Sequence, residues 1–565
     1  MAQGVGLVQG TPFRLIPARP QRNEDGWRRG VEDHESSSAA IFKVGGRMSE
    51  LLRKYVGSKR DPPPWRDVRF RCAFHNTIYD VLKARGFRET DSELDWDFFW
   101  ADKEWIHEFM DHVHLRPHQK VNHFRNHYEL TRKDLMVKNI KRAQRQAQKD
   151  GLSEEAQKYE ACSPQTFGLP MEYSMFVEEF KKRQPEGAIW IMKPIGKSQG
   201  KGIFLFDKLS EISNWRQVPL FQRNQAEKEQ QQNRRASAEK EEEDQSDLPE
   251  PYIVQRYLSK PLLVGGKKFD LRLYVLVTSY APLSVYMYRS GFARLSHARF
   301  SMDAADLSDV QIHLTNVAIQ KHNENYDEKR GGKWELHSLK QYLLAKDHDP
   351  DKVHRLFWEI QDVILYSLMA VQKVIIQDKH CFELYGYDIM ISDDLKPWLI
   401  EVNASPSLTA NTPSDYDMKF ALLDDMLTVL DFEKYLVGTE LQIGGFDVLY
   451  RNGARVGPTA ASTHESYLGC NNNRLQQLEK MARQYGAEQD ERTAPSSAPA
   501  GSSAAPPTGT AAASSVVGGG GRPPAQPTRR ERPDSCKADF SVGPAPSGPP
   551  AWRDARAAAA VGTVR

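Results

Sequence analysis

Apolar and polar positions alternate most cleanly in GGKKFDLRLYVLV, where Phe269, Leu271, Leu273, Val275 and Val277 fall on one face and Asp270, Arg272 and Tyr274 on the other. A period of two is that of a strand with a buried face, and the LSVYMYR run that follows predicts its pairing partner. The Asp and Arg of the second face make either an ion pair at a sheet edge or a catalytic wall. Residues 382–392 and 396–407 flank a polar turn and predict an antiparallel hairpin, in which Trp398, Ile400 and Val402 alternate with Leu399, Glu401 and Asn403. Asp388 is the only charge in the middle of its strand.

Other segments follow the same rules. VRFRCAF and WDFFW predict strands, with a short helix through Ile78, Val81 and Leu82 that stops at Gly86. YIVQRYL predicts a buried strand. AIWIMKPIGKSQGKGIFLF predicts strand, loop and strand. Leu356, Ile360, Val363, Ile364, Leu368 and Val371 keep helical spacing and predict a long core helix. A last ordered helix is expected around residues 422–430. Thr131 followed by Asp134 resembles a capping box, opening a helix that ends near Gly151. On it Lys138, Lys141, Arg142, Arg145 and Lys149 recur at three- and four-residue steps. That stripe is either a solvated face or a dock for an acidic polymer. His123 and His127 suit packing as well as catalysis.

Composition adds disorder to this picture. The apolar fraction is 39%, mean hydropathy is −0.63, and 33 Pro and 37 Gly dilute the folded segments; residues 1–66 read as a disordered leader, 222–247 as a charged insertion, and 436–565 as a mostly disordered tail. Between them the expected domains are 67–130, 131–260 and 261–435. A net charge of +2 predicts no bulk attraction to nucleic acid or membrane. Five scattered cysteines without a CxxC pair argue against a zinc site or a disulfide framework and fit a reducing compartment. With no apolar run of membrane-spanning length, the expectation is a soluble intracellular protein.

Candidate chemistry centres on the hairpin. Asp388, Glu401 and Asn403 could bring three oxygen ligands together with no His or Cys beside them, which suits Mg²⁺ bound with a substrate's phosphates; otherwise the polar face is merely solvated. The loop with Gly196, Lys197 and Ser198 fails as a Walker A motif, since Ile191 stands where the first glycine belongs and a strand follows. It can still be a flap in which Gly200 and Gly202 admit phosphates to backbone N–H groups, with Lys193 and Lys201 supplying charge. HLTNVAIQKH and GGKW read as loop-borne motifs.

LTRKDLMVKNIKR, WIMKPIGKSQGKGIF, GGKKFDLRLYVLV, HLTNVAIQKH, YGYDIMI and PWLIEVNASPSL together resemble the tubulin tyrosine ligase-like family, closest to its glutamylase branch. The resemblance runs from about residue 68 to 430. It implies an α+β ATP-grasp fold, in which two lobes clasp ATP behind a small N-terminal domain. It implies that Lys193 contacts phosphate, that Gln199 and Gly200 belong to the flap, that Gln255, Arg256, Tyr257 and Leu258 form the strand meeting adenine, and that Lys268, Phe269, Asp270, Thr315 and Asn316 line the nucleotide site. Arg294 and Lys333 match positions holding the incoming amino acid, and Asp388, Glu401 and Asn403 match the magnesium ligands. The implied activity is ATP-dependent attachment of free L-glutamate to tail glutamates of tubulin, through an acylphosphate and an isopeptide bond. Arg294 would pair with the glutamate side chain. The alternatives are a non-catalytic tubulin-binding subunit or a ligase for another amino acid such as glycine. Accessory subunits are expected, because no long basic extension follows the domain, and the implied location is cytoplasmic, on the cytoskeleton of the cilium or flagellum and basal body.

Overall fold

The computed structural model describes residues 67–197, 199–213, 251–323, 332–346, 349–410, 412–434, 436–456 and 466–493. The leader, the charged insertion and the tail beyond residue 493 lie outside them. All described residues belong to the unit that ends at residue 495.

Strand β1 (Arg69–Cys72) leads into helix α1 (Thr77–Ala84), whose N-cap Asn76 accepts from the Ile78 N–H. Arg85 caps its other end and Gly86 follows at φ +81°, the left-handed turn that only glycine adopts without cost. Strands β2 (Arg88–Glu89), β3 (Phe98–Trp100) and β4 (Lys120–Val121) join β1 in a four-stranded sheet of order β2-β1-β3-β4, with parallel pairings throughout.

Helix α2 (Lys133–Lys149) carries the basic stripe, but no capping box opens it. Thr131 ends a preceding helical turn at Tyr128–Thr131, Arg132 is the N-cap without a side-chain cap bond, and Asp134 pairs with Arg132 at 2.8 Å. The cause is local: Thr131 is the last helical residue of that turn, its N–H bonded to the His127 carbonyl at 3.2 Å, so it lacks the extended backbone of an N-cap. Helices α3 (Ser153–Cys162) and α4 (Tyr173–Arg183) flank β5 (Thr166–Leu169). Strands β6 (Trp190–Pro194) and β7 (Phe204–Phe206) form the expected flap hairpin, and with β5 and β8 (Tyr252–Arg256) they build an antiparallel sheet of order β5-β8-β6-β7. Phe176 and Phe180 of α4 pack on Trp190 and Phe206 to close its core.

The largest sheet is antiparallel, in the order β14-β13-β10-β11-β16-β15. Its strands are β9 (Leu263–Val264), β10 (Lys267–Tyr280), β11 (Leu283–Leu295), β12 (Lys333–Glu335), β13 (Glu383–Ile391), β14 (Pro397–Asn403), β15 (Gln442–Ile443), β16 (Phe446–Arg451) and β17 (Ala454–Arg455); β9, β12 and β17 pair at its margins. Between β12 and β13 run α5 (Leu336–Ala345) and the long helix α6 (Pro350–Gln372), which opens on the Asp349 cap with Pro350 at its first position. One face of the sheet, with Leu271, Leu273, Val275 and Val277, shares a core with α6 and α2. The other face, with Tyr274 and Leu276, packs on α7 (Pro413–Leu430) and α1. A sheet covered on both sides has no solvated face to alternate with, which is why Tyr274 is as buried as Leu273. Each such aliphatic side chain contributes about 1.5–3 kcal/mol; Leu368→Ala in α6 would remove roughly 2–5 kcal/mol.

Ordered structure does not stop at α7. Strands β15 to β17 follow, and α8 (Arg474–Thr493) returns to the second core through Leu478, Met481 and Ala482. Lys333 lies in β12 rather than in a loop, paired with Arg294 of β11, and the HLTNVAIQKH motif includes helical turns ending at His313 and spanning Val317–Gln320.

Candidate active site

An open cleft lies between the flap sheet and the large sheet. It is lined by Lys193 from β6, Gln255 and Arg256 from β8, Tyr257 and Leu258 just beyond, Lys268 and Asp270 from β10, Thr315 and Asn316, Asp388 from β13 and Glu401 from β14. Strand register explains the convergence. Asp388 is the cross-strand partner of Glu401 and also of Arg272, so three charged side chains stand in a row across β14, β13 and β10.

A bulge sets the phase of β14. Asp388 pairs with Glu401 and Ile389 with Leu399, so Ile400 is the extra residue. Consequently Leu399 and Val402 both enter the main core, whereas Ile400 and Glu401 face the cleft. Simple alternation puts Leu399 on the face of Glu401; the bulge removes it. Gly386 permits the next contact. A Cβ there would stand 2.8 Å from Pro406 Cβ, which would have to shift, and 3.3 Å from Arg272 Nη1, which would have to give by a few tenths of an ångström, so glycine leaves room for both against β13.

The charges are largely paired. Arg272 Nε donates to Asp388 Oδ1 at 2.6 Å and its Nη2 to Oδ2 at 3.2 Å. Arg294 Nε donates to Asp270 Oδ1 at 2.8 Å, and its Nη2 reaches Asp388 Oδ2 at 2.8 Å. Burial alone would raise the Asp388 carboxyl, but Arg272 and Arg294 hold it well below the usual carboxylate range. Lys133 Nζ lies 3.1 Å from Glu401 Oε2. Two cations differ from these: Lys193 donates to Gln255 Oε1 at 2.7 Å, and Lys268 to Tyr257 Oη at 2.9 Å and the His313 carbonyl at 2.7 Å. Neither ends on a carboxylate among the described residues. Burial pushes Lys193 down to about 8, against the pull of Glu401, and burial with Lys193 nearby pushes Lys268 down to about 7.

Several residues expected at the site stand elsewhere. Phe269 is buried in the main core on the far face of β10, because its neighbours Lys268 and Asp270 take the cleft side. Gln199 and Gly200 form the flap tip at φ +62° and +79° and do not line the cleft; a Cβ on Gly200 would stand 2.5 Å from Ile319 Cδ1, so the flap rests on the 316–320 segment. Arg294 is not among the residues lining the cleft; its Nε and Nη2 are held by Asp270 and Asp388, and these bonds leave its Nη1 group uncommitted. Lys333 Nζ donates to Asp415 at 2.7 Å and its ammonium sits 4.8 Å from the centroid of the Phe292 ring. Asn403 Nδ2 is 3.4 Å from Glu401 Oε1.

Sequence reasoning missed Lys133 and His313 as site residues, and for Arg272 it left open an ion pair or a catalytic wall; the structure pairs it with Asp388. Lys133 carried a signal: with Met136, Val137 and Ile140 it holds the i, i+3, i+4, i+7 spacing of the apolar face of α2, where a lysine needs a buried partner. The basic stripe is also thinner than its spacing suggests. Lys141 is bound by both oxygens of Glu172 at 2.9 Å, leaving Lys138, Arg142, Arg145 and Lys149 exposed.

Among the described residues no group of three or more His, Cys, Asp or Glu gathers to hold a metal ion. Two registered carboxylates with a carboxamide beside them fit a hard cation that takes its remaining oxygens from a ligand's phosphates. A cation held by protein atoms alone would need more donors.

Fold and cleft define a protein of mixed helix and sheet with a cation-rich cleft between two antiparallel sheets. The profile of the tubulin-tyrosine ligase family matches residues 111–436. The chain is 46% identical over 432 residues to the Rattus norvegicus protein named "Probable tubulin polyglutamylase TTLL9", spanning 74% of this chain and 92% of that one. It is 44% identical over 413 residues to "Probable tubulin polyglutamylase ttll-9" of Caenorhabditis elegans, spanning 73% and 92%. Over 405 residues it is 44% identical to "Probable alpha-tubulin polyglutamylase Ttll1" of Tetrahymena thermophila, spanning 68% and 92%. The chain belongs to the tubulin-tyrosine ligase family.

Proposed function

We propose that this protein is an ATP-dependent ligase of ATP-grasp architecture that joins free glutamate to glutamate side chains in the acidic tails of tubulin. The observation that carries the reading is the pair Lys193 and Lys268, buried side by side in the cleft with neutral hydrogen-bond partners. Such a surplus of charge is costly without an anion, and a polyphosphate supplies one. Ile191, Ile203, Leu258 and Met390 offer an apolar slot for a base beside it. The names of the relatives supply the tubulin and glutamate half of the reading.

In this reading the tail carboxylate attacks the γ-phosphorus of ATP and ADP departs. The amine of free glutamate then attacks the acylphosphate carbon and expels phosphate, leaving an isopeptide bond. Lys193 and Lys268 offset the repulsion between carboxylate and phosphate, which at an effective dielectric of 20 is about 4 kcal/mol for unit charges 4 Å apart. Asp388, Glu401 and Asn403 would hold a magnesium ion, which when bound neutralises charge on the transferring group. Arg272 and Arg294 orient Asp388, and Arg294 also orients Asp270. The flap hairpin shields the phosphates from water. Lys333, which is held by Asp415 at 2.7 Å, would meet a carboxylate of the incoming amino acid with its remaining N–H groups, together with Arg294. Accessory subunits and a ciliary site of action belong to the same reading.

The test is incorporation of labelled glutamate, against labelled glycine and tyrosine, into microtubules with ATP and Mg²⁺, using protein expressed in ciliated cells so that partners accompany it. Glutamate-selective labelling lost in Glu401→Gln is the expected result. Microtubule binding with no labelling by any amino acid would replace the ligase with a structural subunit.

A further inference from the structure

Behind the nucleotide wall of the cleft, Lys268, Tyr257 and His313 close a ring of hydrogen bonds. Lys268 Nζ donates to Tyr257 Oη at 2.9 Å and to the main-chain oxygen of His313 at 2.7 Å. Tyr257 Oη lies 2.9 Å from His313 Nδ1, and His313 Nε2 lies 3.0 Å from the main-chain oxygen of Asp306. All three side chains are buried, and all three residues line the cleft.

Counting donors fixes the direction of each bond. A carbonyl oxygen only accepts, so His313 Nε2 carries the proton, and in a neutral imidazole Nδ1 is then an acceptor. The Tyr257 hydroxyl therefore donates to Nδ1 and turns its lone pair to the lysine. Burial, with Lys268 beside it, lowers the basicity of His313 and keeps the ring neutral, against the opposing pull of the Asp306 carbonyl and of the Asp306 and Asp309 carboxylates. Phe300 stands edge-on to the same ring. An ammonium has three N–H groups; two are spent inside the ring, which leaves one for a ligand.

We infer that His313 is a positioning residue for the nucleotide: through the Tyr257 hydroxyl and its own carbonyl it aims Lys268 at a phosphate, and it ties that aim to the Thr315 and Asn316 segment. The inference rests on the reading of the cleft as an ATP site. His313 touches no reacting atom; it fixes the direction of one that does.

The experiment measures ATP binding by calorimetry and steady-state glutamylation, in the full chain, for wild type, Tyr257→Phe, His313→Leu, His313→Asn and the double variant Tyr257→Phe/His313→Leu. Loss of an aiming bond to a charged group weakens ATP binding about tenfold or more in Tyr257→Phe and in His313→Leu. The double variant is no worse than either single one, since both break the same link. His313→Asn, whose carboxamide oxygen can stand where Nδ1 stood, stays within roughly threefold of wild type. KM for ATP rises in the same order as the dissociation constant, and kcat falls with it because Lys268 also acts in phosphoryl transfer. Multiplicative losses, or failure of the Asn variant to restore binding, would overturn the inference and mark His313 as packing. Tyr257→Phe keeps the test decisive if His313→Leu does not fold. Wild-type protein that binds no ATP would instead remove the nucleotide reading, and the inference with it.

Discussion

Asp388 and Glu401 are proposed to hold one cation, yet their surroundings predict opposite consequences for the fold. The Asp388 side chain is 3% exposed and lies between Arg272 and Arg294, with contacts of 2.6 and 2.8 Å. Asp388→Asn would leave two buried guanidinium groups with Asp270 as their one carboxylate. Each lost charge pair is worth about 4 kcal/mol at an effective dielectric of 20 and 4 Å, and breaking a buried pair costs roughly 3–5 kcal/mol in practice. Against a total stability of about 5–15 kcal/mol that is a large share. Among the described residues Glu401 has one ion pair, to Lys133 at 3.1 Å, and a side chain 25% exposed, so Glu401→Gln should cost at most about 1 kcal/mol. Both variants should lose turnover by at least about tenfold, or 1.4 kcal/mol of barrier. Urea unfolding followed by tryptophan fluorescence, with glutamylation rates on the folded fraction, separates the two effects. A fold-neutral Asp388→Asn, or a Glu401→Gln as unstable as it, would refute the buried network; an undiminished rate in Glu401→Gln would remove that residue from the chemistry.

Three further outcomes follow from the same structure. Lys268 and Lys193 lose their charge near pH 7 and 8 in the free protein, so the dissociation constant for ATP should rise by about tenfold or more between roughly pH 7 and 9; a flat profile by calorimetry would show that neither lysine meets phosphate. Arg142, Arg145 and Lys149 to Ala should weaken microtubule cosedimentation and flatten its salt dependence, whereas Lys141→Ala, which breaks the internal contacts with Glu172 and the Phe167 ring, should not; binding indifferent to salt would make the stripe a solvated face. Burial pushes Glu383 up to about 8 and His123 down to about 3, while Glu383 also accepts from the Phe124 N–H at 2.9 Å. The pair is therefore neutral, and Glu383→Gln should cost under about 1 kcal/mol in thermal unfolding, against roughly 1–3 kcal/mol for Glu383→Leu; equal losses would mean an ionised pair.

Much of the architecture was legible because long elements repeat their pattern. The fourteen residues of β10 and the twenty-three of α6 show their periods many times over. Elements of two or three residues, such as β12, β15 and β17, have no period to show; β16 has six residues but is buried at its first four positions, so it shows no alternation either. The bulge at Ile400 was equally hidden, since one inserted residue leaves the letters of the strand unchanged and is visible only against its partner β13. Charged positions were found by type, but their partners were not. Arg294 and Asp270 are twenty-four residues apart and Arg272 and Asp388 more than a hundred, and nothing local couples them. The capping box failed for a different reason: an earlier helical turn claimed Thr131 first.

A net charge of +2 over the whole chain says little about the cleft, where the balance is decided residue by residue. Lys133, Lys193, Lys268, Arg272 and Arg294 face Asp270, Asp388 and Glu401. The arginines and Lys133 account for the three carboxylates. The two cations left over are the two whose basicity burial has lowered, so in the free protein the surplus is partly relieved by loss of protons. An anion entering the cleft reverses this, because it stabilises both ammonium groups and raises their affinity for protons. Ligand entry above about pH 8 must therefore draw protons from solvent, and the site is charged most fully only when it is filled. A carboxylate alone would satisfy one of the two lysines. A polyphosphate, with negative charge spread along its length, satisfies both at once, and the apolar slot beside them leaves room for the base to which it is joined.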